Sequence, residues 1–283
     1  MLEKEILQDF ICTALREDVG SGDYSTLACI PFTARGRAVL KVKDYGVLAG
    51  VEVAEAVFRY IEPDIVFSRH MLDGSKMVPG EEAFIVEGLV HTLLKAERLV
   101  LNCMQRMSGV ATLTSRYEER LKGYKTRLLD TRKTTPNFRV LEKEAVRIGG
   151  GVNHRMGLYD MIMLKDNHID FCGGITQALI RVQEYQQAHD LRLPVEVEAR
   201  DMDNVREIIS VGLVDRIMLD NFSPADAAAA VSLIDGRFET EASGGITLDS
   251  LEAYAKAGVD FISAGAVIHH AVSLDLSLKA ISG

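Results

Sequence analysis

The feature that most constrains the fold is a repeat of short apolar runs in the second half of the chain. Four of these runs start at Val195, Arg216, Phe238 and Phe261, and each ends in polar or small residues. The interval of about 22 residues leaves room for one strand, one helix and two short loops. Two similar runs precede them. The pattern predicts a parallel α/β barrel, and six recognisable strands predict an irregular or incomplete one.

The first part of the chain has a different pattern of apolar and turn-forming residues. Between residues 35 and 88, alternating apolar runs are separated by turn-forming pairs such as Asp73-Gly74 and Pro79-Gly80. Helical periodicity covers residues 1–17 and 51–60. These signals predict a small α+β domain with an antiparallel sheet. The proline-free stretch from His91 to about Leu121 predicts a helix with a break at Ser108-Gly109.

Charge and composition exclude several classes of protein. The chain has 32 Lys and Arg against 41 Asp and Glu, and its net charge of −9 opposes binding to nucleic acid or anionic lipid. We expect no membrane span, because no apolar run is long enough. The acidic, amphipathic start lacks the pattern of a signal peptide, so we expect a cytoplasmic protein. The four scattered cysteines predict neither a zinc site nor a disulfide framework.

Polar side chains follow the predicted barrel strands at the points where catalytic residues of such barrels lie. The residues that follow the first four runs are Asp130, Thr131, Arg132, Lys133, Lys165, Asp166, Asn167, His168, Glu198, Asp220 and Asn221. Residues 122–168 hold ten basic and five acidic side chains. A cationic segment in an acidic chain suggests a small polyanionic substrate. Arg suits its carboxylates and Lys suits its phosphates.

Glycine-rich turns add a candidate phosphate site. Ser243-Gly244-Gly245 and Gly265 follow the last two strands, where backbone N–H groups and a helix N-terminus favour a phosphomonoester. Three further glycines precede His154 and Arg155, which we interpret as functional. Glu198 and Asp220 end adjacent strands and are suited to ribose hydroxyls or to a magnesium ion carried by phosphates.

Together these motifs resemble the quinolinate phosphoribosyltransferase family, also called carboxylating nicotinate-nucleotide pyrophosphorylases. The resemblance spans nearly the whole chain in order. It rests on Glu17–Asp23 (EDVGSGD), Ala96–Arg98 (AER), Asp130–Pro136 (DTRKTTP), Gly149–Leu158 (GGGVNHRMGL), Lys165–His168 (KDNH), Glu196–Glu198 (EVE), Leu219–Asn221 (LDN) and Ser243–Ile246 (SGGI).

The resemblance implies an architecture. An N-terminal α+β sandwich domain would cover residues 1–110, an irregular α/β barrel would cover residues 111–270, and a tail at residues 271–283 would pack back on the first domain. It also implies a homodimer in which Arg98 enters the partner's site.

The implied activity belongs to the pentosyltransferases and to NAD biosynthesis. Quinolinate and 5-phosphoribosyl-1-pyrophosphate (PRPP) would react, with Mg²⁺, to give nicotinate mononucleotide, pyrophosphate and carbon dioxide. By resemblance, the catalytic residues are Lys133, Lys165, Glu198 and Asp220. The substrate-binding residues are Arg98, Thr131, Arg132, His154, Arg155, Lys165, Ser243, Gly244, Gly245 and Gly265. Mg²⁺ would lie near Glu198 and Asp220 through PRPP, and protein side chains alone would hold no metal.

Three alternatives remain open at this point. A paralogous phosphoribosyltransferase linked to molybdate uptake shares many of these motifs and would use another acceptor. Lys165 at a strand end could instead be the Schiff-base lysine of an aldolase, although the permanent Arg charges fit an anion pocket better. A sensor that binds its ligand without turnover is the third alternative.

Overall fold

The computed structural model describes residues 4–281. These residues form two compact units. Unit 1 comprises the residues up to Ser115, Thr134–Gly150 and the residues from Ile268 onward, and unit 2 comprises Arg116–Lys133 and Gly151–Val267. Within the described range, every helix is too short or too polar to cross a bilayer. The predicted domain boundary after residue 110 stays a prediction.

The strands of unit 1 are β1 (Arg35–Val42), β2 (Gly46–Val47), β3 (Val66–Arg69), β4 (Lys76–Met77), β5 (Glu82–Leu89) and β12 (Leu276–Ile281). Four of them form an antiparallel sheet in the order β12-β1-β5-β3, and β2 pairs with β4. The helices of unit 1 are α1 (Lys4–Val19), α2 (Tyr24–Cys29), α3 (Val51–Ile61) and α5 (Arg139–Ile148). The α+β prediction with an antiparallel sheet is therefore confirmed. The part of the first predicted helix before Lys4 lies outside the described residues.

The core of unit 1 forms where α3 packs on the sheet. Phe58 of α3 and Phe84 of β5 are fully buried, and the Phe67 ring of β3 lies 4.5 Å from that of Phe84. In the middle of β1, the consecutive residues Ala38, Val39 and Leu40 are all buried, so this strand is covered on both faces. Hydrophobic burial therefore fixes the position of β1 within the sheet.

Helix α4 (Val90–Leu121) runs without interruption, so the predicted break at Ser108-Gly109 is wrong. The structure gives a packing reason for this glycine. A Cβ atom at Gly109 would lie 2.1 Å from the backbone oxygen of Val272, so any larger residue would displace that segment. Gly109 is present for close approach of two backbones, and its helix-breaking tendency is overridden by tertiary packing.

Unit 2 is an incomplete parallel barrel, as the strand spacing predicts. Its strands are β6 (Arg127–Leu129), β7 (Ile162–Leu164), β8 (Val195–Ala199), β9 (Arg216–Asp220), β10 (Glu239–Ser243) and β11 (Phe261–Ser263). They follow the order β6-β11-β10-β9-β8-β7 in the sheet, and among the described residues no ladder joins β6 to β7. The helices are α6 (Asp166–Cys172), α7 (Ile175–Ala188), α8 (Met202–Val211), α9 (Pro224–Ile234) and α10 (Leu251–Ala257), with α11 (Ala266–His269) at its end.

Alternation along the central strands places charged side chains in successive layers of the barrel interior. Positions two apart on a strand share a face, so Glu196 lies one layer below Glu198 on β8. In the same way, Glu241 lies one layer below Ser243 on β10. Because parallel strands end at one edge, Glu198, Asp220 and Ser243 come together at the barrel mouth.

Candidate active site

The loop after β6 is tied to the segment that carries His154. Asp130 is fully buried, its Oδ1 accepts the backbone N–H of His154 at 2.8 Å, and its Oδ2 accepts Nδ2–H of Asn153 at 2.6 Å. Thr131 Oγ1 accepts the backbone N–H of Lys133 at 3.0 Å. Asp130 therefore connects the predicted binding segment after β6 with the one that contains His154. Lys133, in the first of these segments, is exposed to solvent.

Two arginines of this mouth carry like charges close enough to interact. Burial lowers the pKa of Arg155, and the positive charge of Arg132 lowers it further. Arg155 donates from a terminal nitrogen to the backbone oxygen of Met161 at 3.2 Å, whereas the buried Nε–H of Arg132 has no hydrogen-bond acceptor among residues 4–281. Such an arrangement is unfavourable by itself and becomes favourable when an anion is bound.

Lys165 and Glu198 form an ion pair at the ends of β7 and β8. The Lys165 Nζ lies 3.2 Å from Glu198 Oε1, and the Asp166 N–H donates to the other oxygen at 3.2 Å. His168 Nδ1 accepts the Lys165 backbone N–H at 3.0 Å, which fixes the start of α6. The pair puts a positive and a negative charge side by side in the barrel mouth.

Asp220 is held by two neighbours at the end of β9. Its Oδ1 accepts from Ser243 Oγ at 2.7 Å, and its Oδ2 accepts from Asn221 Nδ2 at 2.8 Å. Asn221 has a φ of 57°, and a Cβ on Gly244 would lie 2.1 Å from Asn221 Oδ1. Gly244 is thus required for this close approach as well as for its own φ of 94°.

The predicted cationic segment contributes fewer free charges than its sequence suggests. Lys125 pairs with Asp260 at 2.8 Å, and Arg147 pairs with Glu144. The basic residues of this segment at the barrel mouth are Arg132, Lys133, Arg155 and Lys165, and the last of them pairs with Glu198. Arg98 is an exposed residue of α4 in unit 1. Gly265 lies between β11 and α11.

Sequence reasoning missed a group of ionisable side chains below the mouth. Glu196 and Glu241 are fully buried beside His154. Burial, together with the negative charge of Glu241, raises the pKa of Glu196 to about 7. The signal in the sequence was their position two residues before Glu198 and Ser243, which alternation places on the same face.

Two sets of residues bear on metal binding. Glu198 and Asp220 offer carboxylate oxygens, which suit Mg²⁺, but each already accepts hydrogen bonds within the protein. They therefore fit an ion that keeps its waters and arrives with substrate phosphates. His154, Glu196 and Glu241 place ligand atoms within 4.8 Å of one another. However, the guanidinium of Arg216 already lies 3.1 Å from Glu241.

Comparisons with known proteins agree with this geometry. Residues 23–108 match the family described as quinolinate phosphoribosyl transferase, N-terminal domain, and residues 110–279 match its C-terminal domain. A decarboxylating quinolinate phosphoribosyltransferase of Nicotiana tabacum is 42% identical over 288 residues, covering 96% of this chain and 82% of the relative. A probable carboxylating nicotinate-nucleotide pyrophosphorylase of Synechocystis is 40% identical, with 98% and 93% covered. The crystal structure of NadC from Streptococcus pyogenes superposes with a TM-score of 0.91 at 38% identity, covering 100% and 99%.

Proposed function

This chain belongs to the quinolinate phosphoribosyltransferase family, and we propose that its barrel mouth carries out the family reaction. The enzyme transfers the phosphoribosyl group of PRPP to the ring nitrogen of quinolinate, and the adduct loses carbon dioxide. The products are nicotinate mononucleotide, pyrophosphate and carbon dioxide. The single observation that supports this best is the pair of interacting like charges on the buried Arg155 and the half-buried Arg132, whose Nε–H has no acceptor among the described residues, because this pair favours an anionic partner.

The dicarboxylate and the phosphates need different parts of the site. Arg132 and Arg155 present planar donors that match carboxylates, with Thr131 and His154 beside them. Lys133 is exposed and suits the pyrophosphate as a point charge. The Ser243–Gly245 turn and Gly265 lie where barrel enzymes bind phosphate, and they suit the 5-phosphate.

Glu198 and Asp220 act on the sugar. When pyrophosphate leaves, the ribose ring gains oxocarbenium character, and carboxylates held in place stabilise that positive charge electrostatically. Ser243 and Asn221 hold Asp220, while Lys165 and Asp166 hold Glu198, so neither carboxylate has to reorganise during the step. Lys165 also approaches the departing pyrophosphate.

The second step needs little further machinery. Once ribosylated, the ring nitrogen is cationic and accepts the electron pair of the breaking carbon–carboxyl bond. Carbon dioxide leaves, and the carbon that carried it takes up a proton. The arginines hold the ring in place throughout, so the protein mainly positions and neutralises.

Magnesium is part of this proposal. Bound to the phosphates of PRPP, the ion would neutralise negative charge on the pyrophosphate leaving group. Glu198 and Asp220 are the residues suited to its waters, and the mostly occupied state of their oxygens supports an ion that enters with substrate.

We expect nicotinate mononucleotide and carbon dioxide from quinolinate, PRPP and Mg²⁺, and no product when nicotinate replaces quinolinate. Nicotinate has one carboxylate fewer than quinolinate, so the arginine that would bind the missing carboxylate is left without an anionic partner. A buried charge without a partner is costly. Chromatography of the nucleotide, with carbon dioxide release from carboxyl-labelled quinolinate, checks this. Excess EDTA should abolish turnover, and added Mg²⁺ should restore it. Product from nicotinate, or from neither acceptor, would point to the paralogous phosphoribosyltransferase.

We further propose a homodimer in which Arg98 completes the partner's site. Arg98 is exposed on α4 and belongs to unit 1, whereas the other predicted quinolinate-binding residues belong to unit 2.

The cysteines of the described residues are free, which suits a reducing compartment, so we place the enzyme in the cytoplasm.

A mixture of two inactive variants tests the contribution of Arg98. Arg98→Ala and Asp220→Asn should each be nearly inactive. In a mixed dimer, the barrel of the Arg98→Ala chain would receive an intact Arg98 from its partner. After subunits are exchanged at equal amounts, we expect about a quarter of wild-type activity, because half of the dimers are mixed and each has one intact site. A mixture that stays as inactive as its components would contradict the proposal.

A further inference from the structure

The layer of the barrel interior below the mouth contains four ionisable side chains. They are His154, Glu196, Arg216 and Glu241, and they come from the segment before β7 and from β8, β9 and β10. Barrel interiors are usually filled with branched apolar residues. Burying charged groups is costly unless they are paired, so this layer requires a specific explanation.

The contacts run in one chain from the bottom of the barrel to its mouth. Arg216 donates to Glu241 at 3.1 Å and to Glu239 at 2.9 Å, and its guanidinium lies 4.1 Å from the centre of the Phe261 ring. His154 Nε2 lies 2.9 Å from a carboxylate oxygen of Glu196 and 3.4 Å from one of Glu241. Arg216 therefore anchors Glu241, and carboxylate oxygens of both glutamates lie against one edge of the imidazole.

The other edge of the imidazole faces the main chain of the substrate-binding segment. His154 Nδ1 lies 2.7 Å from the backbone nitrogen of Arg155. Burial opposes the charged form of the imidazole, but Glu196 and Glu241 outweigh it and raise the pKa of His154 to about 9. The two glutamates thereby hold a charged ring directly against the backbone of Arg155.

We propose that Glu196 and Glu241 are positioning residues for quinolinate binding, which act through His154 to set the backbone and guanidinium of Arg155. The inference rests on the proposed function only in assigning quinolinate to Arg155.

The same two carboxylates beside a histidine could suggest a metal site. Arg216 already provides the positive charge that a metal ion would supply at Glu241, so the cluster is complete without one.

Glutamine substitutions test this proposal. Glu196→Gln and Glu241→Gln keep the side-chain shape but give the imidazole an amide in place of a carboxylate. We expect the Kd for quinolinate and its KM to rise at least tenfold, while the KM for PRPP changes less than twofold. A general loss of structure would change both substrates and lower the melting temperature with them, so the split between substrates is the decisive readout.

Glu239→Gln is the matched control. Glu239 bonds the same Arg216 from the same strand, but its side chain is 53% exposed and it does not reach His154 by any described contact. Both substrates should behave in this variant as in the wild type. Equal quinolinate affinity in all three variants and the wild type would overturn the proposal. If the wild type itself did not bind quinolinate, the proposed function would fail first.

A measurement on the wild type does not depend on the folding of the glutamate variants. A long-range ¹H–¹⁵N spectrum reports the protonation state of each histidine, and the His154 signals are identified by their absence in His154→Gln. We expect His154 to carry protons on both ring nitrogens at neutral pH and to lose one of them only near pH 9, because Glu196 and Glu241 stabilise the charged ring. A neutral His154 ring at pH 7 would overturn the proposal, because the two carboxylates would then not act on it.

Discussion

Replacing Arg132 or Arg155 by alanine should weaken quinolinate binding by about 30- to 160-fold, while Lys133→Ala should weaken it by less than about tenfold. Each arginine presents a planar donor pair in a partly or fully buried position, where a hydrogen bond to a carboxylate contributes about 2–3 kcal/mol. Lys133 is exposed, so water and salt screen its charge. Titration of quinolinate into each variant without PRPP measures the binding step alone.

The stability of the ligand-free protein provides a second readout for the arginines. In the absence of an anion, Arg132 and Arg155 repel each other, and the Arg132 Nε–H has no partner among the described residues. Arg132→Ala should therefore keep or raise the melting temperature while it weakens binding, which is the usual relation for a residue retained for function. Lys133→Met serves as a charge-removal control. Equal losses of affinity in the arginine and lysine variants would contradict this division of roles.

The residues of the barrel mouth can be predicted from the sequence because of a positional rule. Parallel strands bring their carboxyl ends to one edge, so a polar residue after an apolar run is a candidate without knowledge of its partners. Glu198, Asp220 and Lys165 were predicted in this way, and the structure places all three at strand ends. The rule gives the location of a residue but not what its side chain contacts.

Contacts between strands explain what the sequence did not predict. The sequence assigns Ser243 to a phosphate site, which stays a prediction, but it gives no sign that the Ser243 hydroxyl donates to Asp220, because this contact depends on the register of β9 with β10. Glu196 and Glu241 lie inside strands, where their charge gave no sign of which groups would pair with them. Only the fold brings them to His154.

Tertiary packing also changed the meaning of local signals. The sequence predicts a helix break at Gly109, but in the structure this glycine allows the Val272 backbone to approach helix α4. Several basic residues between positions 122 and 168 are paired with acidic residues. Lys125 pairs with Asp260, which is distant in sequence, and Arg147 pairs with Glu144 on the same helix turn. A count of charges along the chain therefore overstates the positive charge of the site, although it indicated the correct region.

Asp220→Asn should lower kcat by about 100- to 1000-fold with little change in the KM for quinolinate. The carboxylate acts on positive charge that develops only as pyrophosphate leaves, and loss of one such preorganised group costs about 3–4 kcal/mol of transition-state stabilisation. Asparagine keeps the shape and its oxygen can still accept from Ser243, while its amide nitrogen loses the bond that Asp220 Oδ2 accepts from Asn221. Steady-state rates with each substrate varied in turn separate kcat from KM.

Ser243→Ala is the control that keeps the charge of Asp220. Without the Ser243 hydroxyl, the carboxylate retains its bond from Asn221 at 2.8 Å but loses one of its two fixed donors. We expect a smaller fall in kcat, about tenfold, because one hydrogen bond to a charged group contributes about 1.5 kcal/mol when water can replace part of it. If Ser243→Ala were as damaging as Asp220→Asn, the hydroxyl would act on substrate phosphate directly. If Asp220→Asn raised only the KM for PRPP, Asp220 would bind the ribose hydroxyls without stabilising the transition state.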